Sequence, residues 1–109
     1  MSYLYLLSFE DDEGKFSKVG ITNDLHRRLH QINTDRFLRI RGNGNLFSMI
    51  ASWGLGTEEL ARKFEKDIHL QLSDCRFSHP WGFQGHSECF RIDPLECKAI
   101  IDSFYPSVK

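Results

Sequence analysis

Residues 17–29 read SKVGITNDLHRRL. The β-branched Val19 and Ile21 argue for a strand with Gly20 near its end, and Thr22, Asn23 and Asp24 are residues that begin helices. Leu25, Leu29 and Ile32 then recur at i, i+4 and i+7, the spacing of one apolar helix face. The segment therefore predicts a strand, a glycine bend and a helix capped by Thr22 or Asn23, with Asp24 in its first turn. Arg27 and Arg28 fall one turn in.

On the N-terminal side, Tyr3 to Phe9 is aromatic and apolar without helical spacing, and Phe16 to Ile21 is its shorter neighbour. Asp11-Asp12-Glu13-Gly14 between them ends in the residue that tolerates positive φ, so the two runs predict an antiparallel hairpin. On the C-terminal side the helix is expected to end near Asn33, with Asn23 and Asn33 both read as caps. Residues 34 to 45 follow as a long exposed loop, and Leu46 to Trp53 as a third strand broken by Gly54 and Gly56. Thr57 caps a second helix, with Glu58 and Glu59 against its dipole and a buried stripe of Leu60, Ala61, Phe64, Ile68 and Leu72. Asp74 to Ser87 reads as irregular, Cys89 to Ile92 as a short strand, and Asp93-Pro94 as the start of a last helix through Ile100, Ile101 and Phe104. The expected class is α+β: a small antiparallel sheet in β-β-α-β-α order, flanked by helices.

A chain of 109 residues with 40% apolar content, nine Phe and two Trp fits one globular domain over 1–109. No stretch approaches the roughly 20 apolar residues of a membrane span, and the N-terminus lacks a signal-peptide pattern, so a cytoplasmic location without membrane contact is expected. Three cysteines form no disulfide framework. The net charge of −1 gives no hint of a polyanion, but its distribution does: from His26 to Arg41 there are five arginines (Arg27, Arg28, Arg36, Arg39 and Arg41) against one acid, Asp35. A local basic patch is what attraction to phosphates requires.

Tyr3-Leu4-Tyr5, Lys18-Val19-Gly20 and Ile21 to Leu29 resemble, in order and element context, the motifs of the GIY-YIG endonuclease superfamily. The first stands where that family has Gly-Ile-Tyr, the second where it has Tyr-Ile-Gly. The third is similar to its strand-to-helix passage, whose catalytic arginine corresponds to Arg28. Phe64-Glu65-Lys66-Asp67-Ile68-His69 matches the helix carrying the family's metal-binding glutamate, at Glu65. Lys18-Val19-Gly20-Ile21-Thr22, Glu65 with His69, and Glu88-Cys89-Phe90 resemble the branch common in phages. The chain departs from the pattern in three places: Lys18 replaces the second signature tyrosine, Tyr3 replaces the first signature glycine, and the C-terminal asparagine has no counterpart.

The resemblance implies hydrolysis of DNA phosphodiester bonds, with water activated near Tyr5, Arg28 on the phosphate and a magnesium (or manganese) ion on Glu65. Phosphodiester hydrolysis needs such an activated water, charge stabilisation and help for the leaving oxygen. Lys18 is placed as a point charge for phosphate and His69, one turn beyond Glu65, as a partner for its carboxylate or for water. Tyr3, Gly20, Thr22, Arg27, Arg36, Arg39 and Arg41 are the expected DNA contacts. By residue type alone the reading is plainer. Tyr5 is a packed strand tyrosine, Arg28 snorkels beside an apolar stripe, and Glu65 pairs with Arg62 or His69. Without a separate sequence-reading module, specificity is expected from the Arg36 to Asn45 loop, from self-association or from a host or phage protein. The replacement at Lys18 keeps open a binding module that grips nucleic acid or a protein without cutting. Cys75, His79, His86 and Cys89 have ligand chemistry for a structural zinc, but in a spacing that matches no known finger.

Overall fold

An apolar run without polar alternation, such as Tyr3 to Phe9, has to be covered on both faces of its strand. The computed structural model of the chain describes residues 1–35, 46–78 and 88–108, and there the run has cover on both sides. β1 (Ser2–Asp11) pairs antiparallel with β2 (Gly14–Thr22) and with β3 (Ser48–Leu55). The short β4 (Arg76–Phe77) and β5 (Cys89–Phe90) extend the sheet beyond β2, in the order β3-β1-β2-β5-β4. Leu4, Leu6, Val19 and Trp53 point to one face, where α2 (Glu58–Gln71) brings Ala61, Phe64 and Ile68, and α3 (Pro94–Phe104) brings Cys97 and Ile101. Tyr5, Leu7, Phe9 and Phe16 point to the other, with Phe47 and Ile32 of α1 (Leu25–Asn33). Every strand pairing is antiparallel, so the α+β class and the hairpin stand as expected.

Gly14 closes the hairpin at φ +115°, a conformation that side chains disfavour. Arg91 ties the hairpin tip to β5, binding both carboxylate oxygens of Asp11 at 3.0 and 3.1 Å while its guanidinium lies over the Phe77 ring.

Several boundaries differ from the sequence reading, each for a local reason. Gly20 is no bend: β2 continues to Thr22, and among the described glycines only Gly14 has positive φ. Asp24, not Thr22 or Asn23, caps α1, its side chain accepting from Arg27 N at 3.0 Å while Thr22 Oγ1 accepts from Asp24 N at 3.1 Å. Asn33 does not cap. Its side-chain amide exchanges two hydrogen bonds with the Phe47 backbone, at 3.1 and 2.8 Å, and so ties the end of α1 to the entry of β3. β3 runs through Gly54 to Leu55 because that stretch still pairs with Ser2 and Tyr3. Thr57 caps α2 as expected, but Leu60 is exposed, one position off the buried stripe. Arg76 and Phe77, read as irregular, form an edge strand against β5. The expected loop over 34 to 45 lies outside the described residues from 36 on, and so do Arg36, Arg39 and Arg41. Among the described residues no helix is long and apolar enough to cross a membrane.

Candidate active site

Tyr5 and Gly20 face one another across the hairpin. The missing side chain matters here: a Cβ on Gly20 would lie 2.4 Å from the Tyr5 hydroxyl and 2.7 Å from Glu88 Oε2. The phenol and a carboxylate therefore share the space that any other residue would fill. The phenol oxygen accepts a hydrogen bond from Lys18 Nζ at 3.0 Å and another from Arg28 Nε, arriving from α1, at 3.2 Å. Lys18, on the same face two residues before Gly20, also donates to Glu88 Oε2 at 3.0 Å. Four side chains from four segments thus form one chain of contacts, Arg28 to Tyr5 to Lys18 to Glu88.

Lys18 has no exposed surface, and a buried ammonium must be compensated. Burial alone would lower its pKa, but the charges and hydrogen bonds of Tyr5 and Glu88 outweigh that, and the net direction is upward. Lys18 is an ammonium at neutral pH and acts as a donor. Its enclosure corrects the expectation of a point charge touching phosphate directly.

Beside this network lies a cleft of about 440 Å³, lined by Ser2, Ile21, Thr22, Asn23, Glu58, Arg62, Glu65 and Glu88. Glu65 enters it from α2 and has no hydrogen bond or ion pair among the described residues. Burial and the neighbouring charge of Glu88 push its carboxyl up to about 7, with Lys18 and Arg62 pulling weakly the other way. Arg62 is committed to Glu58 by an exposed pair at 2.8 Å. Of the three cleft glutamates Glu58 is taken by Arg62, which leaves Glu65, unpartnered, and Glu88 as a carboxylate pair of the kind that suits a hard divalent cation keeping most of its waters. Among the described residues no three His, Cys, Asp or Glu side chains gather into a metal-holding group, so the cleft offers a cation two protein carboxylates at most.

The family model of the T5orf172 domain matches residues 2–104. The chain belongs to the T5orf172 family. This is a phage-associated domain found in some nuclease-like proteins. No curated protein and no solved structure matches the chain.

In this T5orf172 domain the expected site residues are distributed unevenly. Tyr5, Lys18 and Arg28 converge, and Glu65 lines the adjoining cleft with Thr22. His69 turns elsewhere: Nε2 lies 3.0 Å from the carbonyl oxygen of Val19, which only accepts, so that nitrogen carries the proton. β5 pairs with Ser17 and Lys18 only, and His69 satisfies the next carbonyl on that edge of β2. Burial lowers the His69 pKa and favours the neutral ring. Gly20 is buried beneath Tyr5 and Glu88, which corrects its assignment as a DNA contact. Tyr3 is half-buried on the Tyr5 face, and Arg27 is exposed.

In the sequence Glu88 belongs to the motif Glu88-Cys89-Phe90 but is given no task in the site, because its part there depends on β5 docking beside Lys18. Of the zinc candidates, Cys75 packs against the core on the α2 and α3 face and Cys89 belongs to the core on the α1 face. Burial pushes the Cys89 thiol up to about 12, and His79 and His86 lie outside the described residues.

Proposed function

We propose that this T5orf172 domain is a metal-dependent DNA endonuclease related to the GIY-YIG superfamily. The observation that carries the reading is the convergence of Tyr5, Lys18 and Arg28 from β1, β2 and α1, joined through Glu88 to the cleft that Glu65 lines. Family membership adds the phage-associated, nuclease-like context.

Each residue has a task in this reading. Arg28 spends Nε on the phenol, and its two terminal nitrogens have no partner among the described residues, so the guanidinium can hold phosphate oxygens in its planar fork. Tyr5 works on the nucleophilic water: with its oxygen already accepting from Lys18 and Arg28, its O–H is the one bond it can direct at a third group. Lys18 fixes the phenol and the Glu88 carboxylate relative to each other. Glu65 holds the cation, magnesium or manganese. When bound, that ion supplies charge stabilisation for the leaving oxygen. Thr22 and Asn23, which line the cleft, and the exposed Arg27 meet the DNA backbone, and Arg36, Arg39 and Arg41 are assigned the same partner by their charge.

One observation favours a second reading. Tyr5 is 1% exposed, and a phenol so enclosed suits a module that keeps the architecture and binds nucleic acid or a protein without cutting. The test is incubation of the purified chain with supercoiled plasmid and Mg²⁺ or Mn²⁺, beside Glu65→Ala and an EDTA control. Nicking that needs the metal and is lost in Glu65→Ala supports the nuclease. Retarded but uncut plasmid selects the binding module, and neither result points to a protein partner.

A further inference from the structure

Resting on the nuclease reading, we propose that Glu88 is a second protein carboxylate of the divalent-cation site, facing Glu65, and that Lys18 is the residue that aims it. Glu65 and Glu88 come from segments far apart in sequence yet line one cleft, whose 440 Å³ accommodates a hydrated ion. The Glu88 carboxylate is divided between two environments. Oε2 is fixed on the buried Lys18 ammonium at 3.0 Å, whereas Oε1 has no bond to any described residue and the side chain keeps 31% exposure. A carboxylate serving only to neutralise Lys18 has no need to stand in the cleft with a second acid.

The approach is built into the backbone as well. A Cβ on Gly20 would lie 2.7 Å from Glu88 Oε2, so the glycine leaves the room that oxygen occupies. Arg62 spends its hydrogen bond on Glu58, a third acid on the cleft wall, at 2.8 Å, and makes none to Glu65 or Glu88. Glu65 itself makes no hydrogen bond or ion pair to any described residue, so its carboxylate is open to an ion in the same cleft. Magnesium and manganese sites of one or two carboxylates completed by water fit this donor set.

The experiment titrates Mn²⁺ into the full chain without DNA, by calorimetry or by loss of the free-ion paramagnetic signal. It compares wild type with Glu65→Gln, Glu88→Gln and Glu88→Asp. Glu88→Asp keeps the charge for Lys18 and shortens the reach by one methylene, and a circular-dichroism melt checks that each variant is folded. The expected result is one Mn²⁺ per chain, weakened at least tenfold by Glu65→Gln and by about 10- to 100-fold by Glu88→Gln. Glu88→Asp should melt like wild type and still bind more weakly. If both Glu88 variants bind Mn²⁺ within twofold of wild type while Glu65→Gln does not, the proposal is overturned and the nuclease reading stands. If wild type neither binds Mn²⁺ nor nicks plasmid, both fall together. If the free chain binds too weakly to titrate but nicks DNA, the Mn²⁺ concentration for half-maximal nicking decides: raised in Glu88→Gln it supports the proposal, unchanged it refutes it.

Discussion

Replacing Gly20 by alanine tests the central packing claim without assuming any activity. The new Cβ would sit 2.4 Å from the Tyr5 hydroxyl and 2.7 Å from both Tyr5 Cζ and Glu88 Oε2, distances that real Cβ atoms do not show. The phenol oxygen would have to retreat beyond 3.0 Å from that carbon. It is held by Lys18 at 3.0 Å and Arg28 at 3.2 Å, so the retreat strains or breaks at least one bond to a cation. Overpacking of a filled interior costs about 1–3 kcal/mol, and a hydrogen bond to a charged group about 1.5–3 kcal/mol. Allowing for relaxation, Gly20→Ala should destabilise by about 3 kcal/mol, a fall in melting temperature of roughly 10–20 °C for a domain of this size. The control is Gly56→Ala, where an added Cβ meets nothing within 4 Å and the change should stay within about 0.5 kcal/mol. Urea unfolding of the two variants and wild type, followed by far-UV circular dichroism, measures the difference. Equal midpoints for Gly20→Ala and Gly56→Ala would show that the glycine does not seat the phenol, and the site geometry built on it would fail.

Tyr5→Phe removes the acceptor shared by Lys18 and Arg28 while Lys18 keeps Glu88; a loss of about 1.5–3 kcal/mol is expected in the same assay, and unchanged stability would mean the phenol is not bonded as described. Glu65 gives a pH signature in metal-free buffer. Its folded carboxyl titrates near 7 and its unfolded one near 4.5, so the folded chain binds more protons between those values and stability falls as pH rises through them. At about 1.4 kcal/mol per unit the ceiling is roughly 3 kcal/mol, and solvent in the cleft screens this to about 1–2 kcal/mol. Glu65→Gln should therefore gain stability relative to wild type by that amount between pH 4.5 and 7, and a gap that does not vary with pH would contradict the assignment. His69→Ala strips the partner from the Val19 carbonyl and should cost about 1–2 kcal/mol, with nicking by the folded variant reduced less than tenfold; a hundredfold loss would return His69 to the chemistry.

The hairpin, the three helices and the α+β class were legible in sequence because they rest on short-range rules. Gly14 after an acidic turn, Thr57 before two glutamates and Asp93 before Pro94 act over a few residues and need no tertiary context. Misreadings occurred where long-range pairing decided. β3 runs on through Gly54 because β1 is beside it, and Arg76–Phe77 is a strand only because β5 lies along it. Of the site, Tyr5, Lys18, Arg28 and Glu65 were named from motif order, but their relation was not. That Lys18 is enclosed, that His69 serves a backbone carbonyl and that Glu88 stands beside Glu65 all depend on side chains brought together across the fold.

By itself, then, the sequence determined which segments become strands and helices and which residue types were available for chemistry, since propensity, capping and periodicity are properties of neighbours along the chain. Only the tertiary structure decided what Gly20 is for. A residue lacking a side chain carries no instruction in one dimension, and its purpose appears when a phenol from the paired strand and a carboxylate from β5's approach occupy the space it leaves.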